Sequence, residues 1–234
     1  MTVVLALRCA DGLVLAADSQ ITDSARGLSY PSQKLHPFGA TGAWGGSGAR
    51  AVLTEVEKTF DEAAPGILVG SEDVSRAVQE IVVPLLRHHY DSFIAEVPGE
   101  KQGGSTPATY VLVAGYAGET PFIVDIDPHG LIGRYEQVGF HAIGSGSAMA
   151  QQAGALLAHF SMTERDVDHG VLVAVRVLDA LRTTSPSIGG PIDVYRITAE
   201  AADQLSERDI TRVRKRVVRW QEGENDLLDK LPKD

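Results

Sequence analysis

The chain has 234 residues, a formal net charge of −10 and 44% hydrophobic residues, which suits one globular domain over residues 1–234 and disfavours general nucleic-acid binding. A single cysteine, Cys9, cannot build an internal disulfide framework, and no run of about eighteen apolar residues offers a membrane-spanning helix. The start lacks the basic segment and apolar core of a secretory signal, so a cytoplasmic location is expected.

Thr2 follows Met1, and trimming of the methionine would leave a threonine at the chain start. Such a residue carries a hydroxyl nucleophile and a free α-amine together. The amine's pKa of about 7.7–8.0 leaves a useful fraction unprotonated at neutral pH, so it can take the hydroxyl proton. Val3–Leu7 and Leu13–Ala17 are apolar runs joined by Ala10-Asp11-Gly12, a hairpin signal. Neither run alternates with polar residues, which fits a sheet covered on both faces. Cys9 is placed in the first strand and reads as a buried structural thiol. Asp18 closes the second run, and Lys34 stands at the start of a further short strand. Gly42–Gly48 is glycine-rich, with Gly45–Gly48 read as a turn before a helix carrying Val52, Leu53, Val56 and Phe60 on one face.

Ser71-Glu72-Asp73 opens a helix with Val74, Val78, Ile81 and Leu85 inward, and Pro84 should kink it. Adjacent His88 and His89 cannot share a metal on one helix face. Glu96–Ala108 reads as a polar loop, Tyr110–Gly115 and Pro121–Ile126 as paired strands, and Asp127–Gly130 as a turn. Shorter strands near Leu131-Ile132 and Phe140–Ile143 precede Gly144-Ser145-Gly146-Ser147. That segment opens a helix carrying Met149, Ala153, Leu156 and Phe160. Thr163–Asp166 resembles a capping box for the helix of Val167, Val171, Ala174, Leu178 and Leu181. Ile192–Tyr195 reads as a last strand. The helix over 206–222 has Ile210, Val213, Val217 and Trp220 inward and an arginine-rich outer face, with a polar tail to 234.

The start at Thr2, the segment Asp11–Asp18, Lys34, the glycines from Gly45 to Gly48 and Ala142–Ala148 occur in an order that resembles the proteasome β-subunit family of amino-terminal-nucleophile hydrolases, with its bacterial relatives of the HslV type. The matches run from residue 2 to about residue 195. The resemblance implies an α/β fold, a four-layer αββα sandwich of two antiparallel sheets flanked by helices. It also implies a threonine peptidase acting on peptides or unfolded proteins inside a homo-oligomeric ring or spiral, with an ATP-dependent unfoldase as a conceivable partner.

On that resemblance Thr2 would attack the carbonyl, Lys34 would sit beside the hydroxyl as a cation, and Asp18 would hold Lys34. Ser145 is retained from the family's set. A backbone N–H at Gly45 or Gly46 would stabilise the oxyanion, and Thr22 would hydrogen-bond the substrate backbone. Replacing Lys34 is expected to abolish turnover with little effect on the fold. In the family an aspartate, and a serine three residues later, support the nucleophile's amine. Here Thr183 and Pro186 take those places, with Ser185 and Ser187 beside them. An amidase or transpeptidase of narrow substrate range, or a scaffold subunit with a degenerate site, therefore stays open. No cofactor or metal is expected, since no dinucleotide fingerprint or ligand cluster occurs.

Overall fold

The computed structural model describes residues 2–23, 27–70, 73–95 and 106–232. The elements in chain order are strands β1 (Val4–Arg8), β2 (Leu13–Asp18), β3 (Gln20–Asp23), β4 (Leu28–Pro31), β5 (Leu35–Pro37) and β6 (Gly42–Gly48), then helices α1 (Arg50–Gly70) and α2 (Val74–Asp91). Strands β7 (Thr109–Ala117), β8 (Thr120–Ile126), β9 (Ile132–Arg134) and β10 (Phe140–Ile143) follow, then helices α3 (Ser147–Leu156) and α4 (Val167–Thr184). Strands β11 (Ile192–Ile197) and β12 (Ala202–Gln204) and helix α5 (Glu207–Leu228) complete the order.

The strands form two five-stranded antiparallel sheets, β10-β1-β2-β11-β12 and β5-β6-β7-β8-β9, and a separate β3-β4 ribbon. The tight β1–β2 connection is closed by the Cys9 N–H, which donates to the Gly12 carbonyl at 2.8 Å. Successive side chains on a strand point to opposite faces, and β1 shows why it lacks polar alternation. Leu5 and Leu7, with Val14 and Ala16 of β2, pack against Val171, Ala174 and Leu178 of α4. Val4 and Ala6, with Leu13 and Leu15, pack against Leu35, Leu112, Ala114 and Ile123 of the other sheet. The far face of that second sheet, with Trp44, Val111, Val113 and Val124, is covered by Val52, Val56 and Phe60 of α1 and Val78 and Val82 of α2. The protein is thus a mixed α/β structure with antiparallel sheets and three apolar cores. None of its described helices is long and apolar enough to cross a membrane.

Several sequence expectations are corrected. The expected turn at Gly45–Gly48 is part of a strand, Gly42–Gly48. Its glycines answer to close packing: a Cβ on Gly45 would approach Val4 Cγ1 to 2.9 Å and the Lys34 carbonyl to 3.0 Å. Glycine in a strand interior often marks such approaches. The cap before α4 is Asp166, whose carboxylate accepts the His169 N–H at 2.9 Å, while Thr163 lies in a separate 3-10 turn. A capping box does occur, at Ser206 and Asp209 before α5. Helix α3 ends at Leu156, and Phe160 lies in a following 3-10 turn, Ala158–Phe160. Helix α2 runs through Pro84, and its buried face ends on Val82 and Leu86 rather than Ile81 and Leu85. The expected helix opening at Ser71-Glu72 and most of the loop from Glu96 lie outside the described residues, as does Met1.

Part of the basic face of α5 is tied down. Arg214 makes two 2.9 Å bonds to Asp179 of α4. Arg176 of α4 makes a bidentate pair with Glu224 and stands 3.9 Å over the Trp220 ring. The remaining cations of α5, Arg208, Arg212, Lys215, Arg216 and Arg219, are exposed.

Candidate active site

Asp18 anchors the site. It ends β2, and its carboxylate is fully buried at the junction of four chain segments. Oδ1 accepts the Val3 N–H at 2.9 Å and the Lys34 ammonium at 2.8 Å. Oδ2 accepts the N–H groups of Gln20 at 3.2 Å and Gly189 at 3.3 Å. A buried charge persists when paired and hydrogen-bonded in this way. Only 6% of the Lys34 side chain is exposed. Burial lowers the lysine pKa from its ordinary value, against the opposing pull of Asp18 and, more weakly, Asp193.

Thr2 is half-buried beside this pair. Its N–H donates to Ser145 Oγ at 3.1 Å, and its carbonyl accepts the Gly146 N–H at 3.1 Å. The Gly-Ser-Gly segment is shaped for that approach. Gly144 has φ +93°, and a Cβ there would meet the Thr2 carbonyl oxygen at 2.3 Å. Glycine is the residue that tolerates both conditions.

A cavity of about 400 Å³ opens at this point, bordered by Thr2, Thr22, Lys34, Gly46, Ser47 and Ser145. Gly45 does not border it. The pairing of β6 with β5 ends at Leu35↔Gly45, while its pairing with β7 continues to Gly48↔Thr109. Gly46–Gly48 therefore runs beyond β5 along the cavity, and Gly46, not Gly45, is the glycine of the expected pair that lies there. Thr22 is exposed on β3, with its Oγ1 3.5 Å from Gln20 Nε2. The structure thus brings together Thr2, Asp18, Lys34, Ser145, Gly46 and Thr22.

The expected support near residue 183 is not rebuilt. Thr183 is exposed, and its hydroxyl donates back to the Ala180 carbonyl at 2.7 Å. Ser185 is buried, and its hydroxyl has no hydrogen-bond partner among the described residues. Two features escaped the sequence reading. Asp193 of β11 is half-buried, with Lys34 and His36 acting on its charge, and burial raises its carboxyl pKa. A charge inside the otherwise apolar Ile192–Tyr195 run was a legible signal. The far wall of the cavity, formed by His36, Trp44 and Glu57, had no local signal, because strand pairing and α1 assemble it. Among the described residues, no group of three or more His, Cys, Asp or Glu side chains is placed to hold a metal ion.

No protein-family model matches the chain. Solved structures do match over its length. Anbu (ancestral beta-subunit) from Yersinia bercovieri is 17% identical with a TM-score of 0.71, covering 99% of this chain and 98% of its own. The Gly-1 mutant of Anbu from Hyphomicrobium sp. strain MC1 is 18% identical with a TM-score of 0.72, covering 100% of this chain and 99% of its own. The likeness is one of fold. The helical assembly of the Anbu complex from Pseudomonas aeruginosa gives 19% identity and a TM-score of 0.70, covering 99% and 98% of the two chains. The chain thus shares its fold with Anbu, and nothing in that likeness singles out the HslV type.

Proposed function

We propose that this chain is a threonine peptidase of the proteasome type, one amino-terminal-nucleophile domain with αββα layering that hydrolyses peptide bonds at Thr2. The observation that carries the reading is the meeting of Thr2, the buried Asp18–Lys34 pair and Ser145 at one end of the cavity. Thr2 Oγ attacks the scissile carbonyl as its proton passes to the Thr2 α-amine. The resulting oxyanion faces the strand edge at Gly46. Collapse expels the leaving amine, which takes that proton, and leaves an ester on Thr2 that water then hydrolyses. The Lys34 cation lowers the cost of the alkoxide, and Asp18 fixes where the cation sits. Ser145 orients the Thr2 nitrogen.

The amine acts as a base only when nothing precedes Thr2, since an amide nitrogen does not take a proton at neutral pH. General-base assistance is worth about 10²–10⁴ in rate, so removal of Met1 is required. The test is intact-mass analysis after incubation with a peptide epoxyketone, alongside hydrolysis of peptide substrates. The expected result is one adduct on the processed chain, absent from Thr2→Ala. Activity that tracks the Met1-retaining species would overturn the reading. We further propose that the chain works in the cytoplasm as a homo-oligomer, an open spiral or ring, because a structure of the same fold is described as a helical assembly. A second reading, a scaffold subunit without activity, draws on the exposed Thr183 where the family has a carboxylate. Absence of any Thr2 adduct favours it.

A further inference from the structure

The cavity has direction. Its floor follows β6 from Gly48 back to Trp44, and its wall is the face of α1 that carries Arg50, Leu53, Thr54 and Glu57. Those four recur at helical spacing, and seven residues of helix span about 10 Å. Thr2, Ser47 and Ser145 lie at the Gly46–Gly48 end. At the other end His36 pairs with Trp44 across β5 and β6, and its ring stacks on the indole with centroids 4.9 Å apart. The His36 Nδ1 is 2.9 Å from Glu57 Oε1. Thr2 and the Glu57 carboxylate therefore border one cavity, with Glu57 on the side of His36 and Trp44.

We propose that this channel selects substrates with a lysine or arginine side chain on the acyl side of the scissile bond. Glu57 is the counter-charge, and His36 is the residue that positions it. The proposal rests on the peptidase reading above. Glu57 retains 43% side-chain exposure, so an empty channel leaves its carboxylate hydrated. An apolar side chain would strip that water and return no hydrogen bond. An acidic side chain would meet a like charge. A lysine or arginine replaces the water with a charge-assisted bond. Among the described residues, two cations line the cavity: Lys34 is already paired with the buried Asp18 at 2.8 Å, and Arg50 is exposed to solvent, 3.3 Å from the Tyr30 hydroxyl. There its charge is screened.

The test compares peptides that differ only in lysine against norleucine, which matches its length without the ammonium. Hydrolysis is measured on the processed protein. Binding of product peptides ending in the same two residues is measured on Thr2→Ala by fluorescence anisotropy. Hydrogen bonds to charged groups are worth enough to expect a lysine-to-norleucine preference of about tenfold to a hundredfold. Glu57→Gln should collapse that ratio, and Glu57→Arg should turn preference toward glutamate. Cleavage with no such ratio, or a ratio that survives Glu57→Gln, overturns the specificity proposal and leaves the peptidase reading standing. A Glu57-dependent binding ratio without cleavage supports the channel and overturns the peptidase reading. Neither cleavage nor a binding ratio overturns both.

Discussion

Replacing Lys34 by methionine should destabilise the protein by about 3 kcal/mol as well as abolish turnover. The reason lies at Asp18, which is fully buried and has the Lys34 ammonium at 2.8 Å among its four donors. Removing one partner of a buried pair typically costs about 3–5 kcal/mol, because a charge is left uncompensated. Three backbone N–H groups would still hold the carboxylate, which places this case at the low end. For a chain of this size, about 2–4 °C accompanies each kcal/mol, so the melting temperature should fall by about 6–12 °C. This revises the expectation that the fold would hardly notice the change. The double variant Asp18→Asn/Lys34→Met should recover much of the loss, since no orphaned charge remains. The pH dependence has a definite sign. Burial places the folded pKa of Lys34 below its unfolded value. Between the two, the unfolded chain binds a proton that the folded chain has released, so this group makes stability rise with pH across that interval. Lys34→Met lacks that contribution. Urea titrations at several pH values would measure each quantity. A Lys34→Met protein that melts within about 2 °C of the parent would refute the reasoning from the cost of an orphaned buried charge.

Cys9 should be inert in the native state. Its thiol is buried, and burial together with nearby Asp11 and Asp166 pushes its pKa up to about 12. Because the thiolate is the reacting species, alkylation by iodoacetamide at pH 8 should be slower than in urea by about a thousandfold. Comparable rates, followed by mass, would contradict the packing described. Asp193→Asn should raise the melting temperature at neutral pH, because burial raises the folded pKa of that carboxyl and makes its charged form costly. The gain should shrink as pH is lowered and the carboxyl of the parent is protonated. A loss of stability at neutral pH would mean that the charge supports Lys34 more than its burial costs.

The elements with long apolar runs were legible from sequence. The β1–β2 hairpin, the β7–β8 pair and the inward faces of α1, α4 and α5 follow from residue pattern, because burial leaves that pattern directly. The catalytic candidates Thr2, Asp18, Lys34 and Ser145 were legible through resemblance, and they do converge. What escaped has physical causes. The β3–β4 ribbon and β12 are short and half-exposed, so they carry little apolar signal. The glycines of β6 look like a turn, yet they form a strand because Val4 and the Lys34 backbone leave no room for side chains. Thr163 and Asp166 both suit a cap, and the contact of the Val167 N–H with the Asp11 carboxylate at 2.7 Å accompanies a start at Asp166. The cavity wall of His36, Trp44 and Glu57 depends on tertiary pairing alone, which no local window contains.

The donors on Asp18 come from widely separated parts of the polypeptide, Val3 near its start and Gly189 in its last quarter, with Gln20 and Lys34 between. During synthesis the segment that carries Thr2 leaves the ribosome first, and the last partner of Asp18 emerges only when most of the chain has been made. A nascent chain that already displays Thr2 therefore has no finished centre beside it. On the peptidase reading proposed above, the same contact that buries the carboxylate would act as a timer, withholding a reactive hydroxyl from neighbouring nascent proteins until the fold that confines it is complete.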